Sequence, residues 1–182
     1  MTRILFFALA LLLLTSCSEN NDASIQLSES SPLVVAAEEN RIEDVKSLLN
    51  NGHNVNAMDD CGWTALMKAS LYGHLEISEL LIQHGATIDQ IDSGGYTAML
   101  LAASNNHEAV VRALLDKGAA INHQEQTRGW TALIWAAKRG HTETVRLLLT
   151  RNADRHIADH NGKTALSWAQ QSNKPAVVML LE

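Results

Sequence analysis

Apolar and polar positions along the chain predict pairs of short amphipathic helices. A threonine followed by two apolar residues marks the start of the first helix in four pairs: Thr64-Ala65-Leu66, Thr97-Ala98-Met99, Thr131-Ala132-Leu133 and Thr164-Ala165-Leu166. These sites recur at intervals of 33, 34 and 33 residues, and Ser31-Pro32-Leu33 lies 33 residues before the first. In the second helix apolar residues follow at i, i+3 and i+4, as in Ile77, Leu80 and Leu81. A fixed period of this length predicts a stack of repeats.

Turn and capping residues recur with the same period. A glycine stands two residues before each threonine, where a tight turn with positive φ is expected: Gly62, Gly95, Gly129 and Gly162. Each threonine is placed to cap the following helix by accepting a backbone N–H. The second helices are expected to end at left-handed C-caps: Gly52, Gly85, Gly118 and Asn152. His74, His107 and His141 stand where second helices begin and are interpreted as structural.

This pattern resembles the ankyrin repeat, which runs roughly D-x-x-G-x-T-P-L-H-x-A-A, then G-H, then L-L-x-x-G-A-D-V-N. The resemblance covers about residues 28–182 and implies an all-α ankyrin-repeat solenoid, in which β-hairpin loops join helix-turn-helix repeats. Five repeats are predicted, at about 28–58, 59–91, 92–125, 126–158 and 159–182. The first lacks the Asp-x-x-Gly turn and the last stops within its second helix. End repeats are expected to be atypical because they cover one side of the stack.

The sequence departs from the ankyrin pattern at two positions. The proline is kept as Pro32 only, and the histidine after leucine is replaced by Val34, Met67, Leu100, Ile134 and Ser167. In the family that histidine hydrogen-bonds between repeats, so its replacement is expected to lower stability. One inserted residue near 124–127 is expected to lengthen a hairpin loop.

Residues 1–16 have the features of an export signal. Arg3 is followed by an apolar run over residues 4–14, which is shorter than the about 20 residues of a membrane span. Leu14-Thr15-Ser16-Cys17 resembles the bacterial lipobox, which implies cleavage before Cys17 and acylation of that cysteine. The alternative is an ordinary signal with an incidental cysteine. Residues 17–27 are predicted to be a lipid-anchored flexible linker, because this polar segment cannot bury a core.

The residue after Cys17 bears on localisation. Ser18 stands where an aspartate would retain a lipoprotein of enteric-type bacteria in the inner membrane. We therefore expect a protein of the bacterial cell envelope, anchored by lipid to the outer membrane and facing the periplasm. Attachment is expected to be firm, because several acyl chains anchor a protein more strongly than one.

Charge limits the classes of partner. The chain has 14 basic and 20 acidic side chains, a net charge of −6, and removal of Arg3 with the signal changes the net charge to −7. Nucleic acid is not an expected partner, because proteins that bind nucleic acid usually carry clustered basic charge. Charge is uneven along the stack, at −3 in the first repeat and +4 in the fourth. This gradient either orients a partner or is random variation of a solvated surface.

One column of side chains is the main candidate for binding another protein. The residue between each turn glycine and its threonine is expected to point away from the hairpin tip: Trp63, Tyr96, Trp130 and Lys163. Exposed aromatic residues are enriched at binding hot spots, and the alternative is that each ring packs on its neighbour. The ankyrin resemblance adds contact positions before the turn glycine and at the end of the first helix: Tyr72, Asn105, Arg128, Lys138 and Arg139. Trp135 and Trp168 are expected to be partly buried packing residues.

Candidate catalytic and metal-binding residues are explained by the repeat. Asp92-Ser93-Gly94-Gly95 echoes the nucleophile stretch of trypsin-like proteases, but its register matches a turn. His156 and His160 lie on a predicted loop, without the ligand patterns of a zinc site. Cys61 is expected to be a spectator, and the alternative is an intermolecular disulfide. The sequence therefore predicts that the protein is not an enzyme and that it binds no cofactor, metal or small-molecule substrate.

Together these features predict a membrane-tethered protein–protein interaction module that scaffolds or protects another exported protein. The alternative is an immunity or inhibitor protein that masks an envelope-targeting toxin. An envelope enzyme is a third hypothesis, which the lack of a catalytic constellation in the sequence disfavours.

Overall fold

The computed structural model describes residues 31–182, and ten helices lie in this part of the chain. The predicted signal peptide and the linker, with the lipid-attachment residue Cys17, fall outside the described residues. The helices are α1 (Pro32–Glu38), α2 (Ile42–Asn50), α3 (Ala65–Tyr72), α4 (Leu75–Gln83), α5 (Ala98–Ser104), α6 (Glu108–Asp116), α7 (Ala132–Arg139), α8 (Thr142–Thr150), α9 (Ala165–Gln171) and α10 (Pro175–Leu181). Each odd-numbered helix packs against the next helix along the chain. The all-α fold class predicted from the sequence is confirmed.

Threonine side chains determine where four of the first helices begin. Each Oγ1 accepts the backbone N–H of the residue three positions further on, at 3.2–3.4 Å: Thr64, Thr97, Thr131 and Thr164. Helices α3 and α7 end at Gly73 and Gly140, whose φ angles of 76° and 82° are left-handed. Asn106 adopts the same conformation after α5, with φ 63°. The predicted N-caps are confirmed.

Small residues let the first helices approach one another closely. One position of every first helix is an alanine at most 1% exposed: Ala36, Ala69, Ala102, Ala136 and Ala169. The first helices pack more closely against one another than the second helices do. Because one layer is more tightly spaced than the other, the stack curves with the first helices and the hairpin tips on its inner side.

Histidines at the start of the second helices bond one repeat to the previous one. Each Nε2 lies 3.0–3.1 Å from a backbone carbonyl oxygen at the end of the preceding first helix: His74 with Glu38, His107 with Leu71, and His141 with Ser104. Burial lowers the pKa of both His107 and His141, so the fold favours their neutral form. These histidines supply inter-repeat hydrogen bonds in a chain that lacks the family's usual histidine.

A carboxylate closes each hairpin tip. The aspartates of three tips accept two backbone N–H groups each, at 2.8–3.0 Å: Asp59, Asp92 and Asp159. In the fourth repeat Glu125 takes this place and accepts three, at 2.6–3.1 Å. Its longer side chain spans the loop that carries the inserted residue. Within residues 31–182 the tips are turns rather than strands, with one isolated bridge between Met58 and Thr64.

Candidate functional site

The aromatic column is buried at its third position. Trp130 is 2% exposed, and Trp63 and Tyr96 are half-buried against the core. The expectation of an exposed Trp130 was wrong, and local packing is the correct interpretation for this ring. Its indole N–H donates to Asp159 Oδ2, 3.0 Å away in the next repeat, and this bond places the ring between repeats. The partner-binding roles of Trp63, Tyr96 and Lys163 stay predictions.

Trp130 is the centre of a group of three rings, Trp130, Trp135 and Trp168, which we call the tryptophan cluster. The centroid of Trp130 lies 4.5 Å from that of Trp135 and 4.9 Å from that of Trp168, with interplanar angles of 75° and 65°. Edge-to-face pairs of this kind contribute about 0.5–1.5 kcal/mol each beyond the area they bury. Trp168 is half-buried as expected, and Trp135, which is 5% exposed, is a packing residue that lies deeper than expected.

Asp159 holds the tryptophan cluster together. Its Oδ2 accepts the indole N–H groups of Trp130 and Trp168, at 3.0 and 2.9 Å, and its Oδ1 accepts the backbone N–H groups of Asn161 and Lys163. Burial raises the pKa of this carboxyl, but the four hydrogen bonds outweigh burial, and the net result is a pKa below the ordinary value. Asp159 is therefore an ionised structural acceptor.

Four cations lie over the tryptophan cluster, and we call them the basic patch: Arg128, Lys138, Arg139 and Lys163. The Nζ of Lys138 lies 4.4 Å from the ring centroids of both Trp130 and Trp168. The other three cations lie 4.7–5.2 Å from a ring of the cluster. Among residues 31–182, no carboxylate lies within 4.0 Å of any of the four. The structure thus brings together four predicted contact residues, on the inner side of the stack.

A lysine over a tryptophan in the second repeat is, by contrast, neutralised. The Nζ of Lys68 lies 4.9 Å from the ring centroid of Trp63, but also 3.0 Å from a Glu38 carboxylate oxygen and 3.9 Å from one of Asp59. Tyr72 is 40% exposed and donates its hydroxyl to Glu38 at 3.2 Å. The charges at this end of the inner side are therefore paired within the chain.

Asn105 differs from the other predicted contact residues. Its side chain is half-buried, and its amide nitrogen donates to the Leu101 carbonyl oxygen and to Ser104 Oγ, both at 2.9 Å. These bonds close the end of α5. A role for Asn105 in partner binding stays a prediction, and it would use the amide oxygen.

Comparison with known proteins identifies the repeat. The family model described as "Ankyrin repeats (3 copies)" matches residues 33–125 and 119–182. The chain belongs to the ankyrin-repeat family. Ankyrin repeats indicate a protein–protein interaction module. One similar protein is the E3 ubiquitin-protein ligase XBAT33 of Arabidopsis thaliana, 51% identical over 47 residues, which are 26% of this chain and 9% of that protein. The likeness covers a small part of both proteins.

The ankyrin turn accounts for the stretch that echoes a protease. Asp92 Oδ1 accepts the backbone N–H groups of Gly94 and Tyr96, and Ser93 is exposed on the turn beside it. Burial raises the pKa of the Asp92 carboxyl, and the opposing hydrogen bonds do not cancel this effect. Asp92 is thus occupied in the turn. No three His, Cys, Asp or Glu side chains of the described ankyrin repeats are grouped to hold a metal ion.

Two further observations concern the cell-envelope hypothesis. None of the helices in residues 31–182 is long and apolar enough to cross a membrane. Cys61 is half-buried at a hairpin tip, where its backbone N–H donates to Asp59 Oδ1 at 3.0 Å, and its role as a spectator stays a prediction.

The sequence did not reveal the role of Asp159. The Asp-x-x-Gly pattern placed it in a turn, but its second oxygen bonds tryptophans that lie 29 and 9 positions away in sequence. A pair of tryptophans in neighbouring repeats, which would need an acceptor for their indole N–H groups, is the signal in the sequence that could have indicated this role. The fourth and fifth repeats place a tryptophan at the same first-helix position, Trp135 and Trp168, where other repeats have Lys68 and Leu101.

Proposed function

We propose that this ankyrin domain is a membrane-tethered protein-binding module of the bacterial cell envelope, which scaffolds or protects another exported protein. The basic patch carries the proposal. It places four cations, none of them within 4.0 Å of a carboxylate of residues 31–182, on the inner side of the stack over a rigid aromatic base. Arginine and aromatic residues in such an arrangement are typical of binding hot spots.

The tether rests on the sequence at the N-terminus. The lipobox-like Leu14-Thr15-Ser16-Cys17 supports acylation of Cys17, and the polar segment after it supports a spacer with a reach on the order of 20 Å. Ser18 supports the outer membrane. The spacer would hold the binding surface close to the membrane while leaving it free to turn.

Replacing Cys17 tests the anchor. The Cys17→Ser protein should leave the membrane fraction and appear in the soluble fraction, because no acyl chain can be attached. The intact mass of the wild-type protein should exceed that of the cleaved polypeptide by its acyl groups. The same mass spectrum, taken without reductant, reports whether Cys61 joins two molecules through a disulfide. Unchanged membrane attachment of Cys17→Ser would reject the lipoprotein.

A pull-down from envelope extract tests protein binding. The wild-type protein, extracted with its anchor, is compared with Lys138→Gln/Arg139→Gln and with a control of equal charge loss, Lys117→Gln/Arg146→Gln. The control residues lie on the outer, second-helix side of the repeats. A protein captured by the wild type and by the control, and lost by the patch variant, would support the proposal. A single partner held very tightly would fit the inhibitor role, whereas several partners would fit a scaffold.

A further inference from the structure

We propose that the basic patch binds an acidic peptide segment of the partner protein, with aspartate or glutamate carboxylates paired to Lys138 and to the cations around it. This inference rests on the proposed protein-binding function and specifies the chemistry of its partner. The occupant is a stretch of extended or loop backbone rich in carboxylates, lying along the inner side of the fourth and fifth repeats.

The first argument is unbalanced charge. Lys138 is surrounded by Arg128, Arg139 and Lys163, and these repulsions add to partial burial in lowering its pKa, with burial as the larger cause. The nearby acid Asp159 already accepts four hydrogen bonds from N–H donors of residues 31–182. A carboxylate from outside the chain would reduce the repulsion among these cations. The free energy gained on binding an acid is therefore larger than that of one isolated ion pair.

The second argument is that the cations are held in place before a ligand arrives. Lys138 Nζ lies 4.4 Å from two ring centroids at once, which restricts a side chain that is otherwise flexible. The rings themselves are fixed by Asp159 and by their edge-to-face contacts. Binding therefore costs less side-chain entropy than it would for cations on a mobile surface.

A peptide fits this surface better than a nucleic acid or a membrane. The patch has four cations in a chain of net charge −6, whereas binding of a long nucleic acid depends on a more extensive cluster of basic side chains. A flat bilayer cannot follow the inner side of a curved stack. A short acidic segment of another protein meets neither difficulty.

The test is fluorescence anisotropy with the full mature protein and two labelled peptides, one rich in glutamate and one in which glutamine replaces every glutamate. We expect the glutamate peptide to bind, with affinity that falls as salt is raised, and the glutamine peptide to bind far less. Lys138→Gln should weaken binding of the glutamate peptide by about tenfold, as expected for loss of one charged hydrogen bond. Lys163→Gln should weaken it as well, whereas Lys117→Gln, which carries the same loss of charge, should leave it unchanged.

Four results would overturn the inference. The first is equal binding of both peptides, and the second is an equal effect of Lys138→Gln and Lys117→Gln. The third is stronger binding to phosphatidylglycerol vesicles or to single-stranded DNA than to the glutamate peptide. The fourth is a gain of peptide affinity when residues 18–30 are deleted. The last result would make the chain's own acidic tether the occupant. Far-UV circular dichroism of Lys138→Gln and Lys163→Gln must match the wild type for their losses to count.

Failure of this inference can be told apart from failure of the proposed function. If envelope pull-downs capture a partner equally well with the Lys138→Gln/Arg139→Gln variant, protein binding stands and the acidic-segment inference falls. If no protein is captured by any variant although the glutamate peptide binds as expected, the patch chemistry stands and the proposed scaffold role falls.

Discussion

Replacing Trp130 with alanine should destabilise the fourth and fifth repeats strongly. The substitution removes a ring that is 2% exposed, two edge-to-face contacts and an indole N–H bonded to Asp159. Tryptophan-to-alanine changes at buried sites cost about 3–5 kcal/mol, which already includes ring contacts of this kind. Since small domains are stable by about 5–15 kcal/mol, this is a large share of the total.

The position of Trp130 between repeats predicts how the protein will unfold. In repeat proteins stability is a sum of repeat terms and nearest-neighbour interface terms, and Trp130 contributes to the interface between the last two repeats. We expect the Trp130→Ala protein to lose the helical signal of its C-terminal repeats at a lower urea concentration than the rest. Urea titrations followed by far-UV circular dichroism measure this directly.

Two control variants divide the loss into its parts. Trp130→Phe keeps an aromatic ring but removes the N–H donated to Asp159, so it should cost about 1.5–3 kcal/mol, the usual contribution of a hydrogen bond to a charged group. Trp63→Ala removes a half-buried ring from the equivalent turn position and should cost less than Trp130→Ala. If Trp130→Ala lowers the free energy of unfolding by no more than Trp63→Ala does, the assignment of Trp130 as a packed inter-repeat residue is wrong.

Three other substitutions test the scaffold. Ser70→Ala should leave stability unchanged or raise it by up to ~1 kcal/mol, because Ser70 is fully buried and its Oγ has no hydrogen-bond partner within residues 31–182. A clear loss of stability in urea titration would contradict this. Because burial lowers the pKa of His107, its contribution to stability is complete above about pH 6.5 and is lost as the pH falls below that value. His107→Gln should therefore make the free energy of unfolding less dependent on pH below about 6.5, and an unchanged dependence would refute this. Asp159→Asn should destabilise by about 1.5–3 kcal/mol at neutral pH, since an amide has one acceptor oxygen and its NH2 group would face two of the four N–H donors. The difference from wild type should shrink as acid protonates Asp159, and a pH-independent difference would count against the ionised form.

Local rules were sufficient to predict most of the scaffold. Thr97 caps its helix, and Gly85 and Asn152 have positive φ, each as expected from residue type and register. His107, interpreted as structural, proves to bond to the previous repeat. These features depend on a residue and its neighbours within one repeat or the next. The fixed period therefore transfers them from one repeat to another.

The binding surface could not be predicted in the same way. The expectation for Trp130 assumed that residues in one register share one environment, as Trp63 and Tyr96 do approximately. Trp130 instead follows a loop with one extra residue and has acceptors and rings available in the next repeat, Asp159 and Trp168. Whether a side chain is buried between repeats depends on contacts of this kind with residues distant in sequence. Aligning the repeats in register shows which residues are equivalent, but it does not show these contacts.

The charge gradient of the stack lies largely in one column, at the ends of the first helices. The first repeat has Glu38-Glu39 there, and the fourth repeat has Lys138-Arg139 at the same position. Because Glu38 is paired with Lys68 whereas Lys138 has no carboxylate within 4.0 Å in residues 31–182, the positive end is the one that gains most from an external charge. A partner that follows the column would therefore place its acidic segment on the fourth repeat and bind in one direction along the stack.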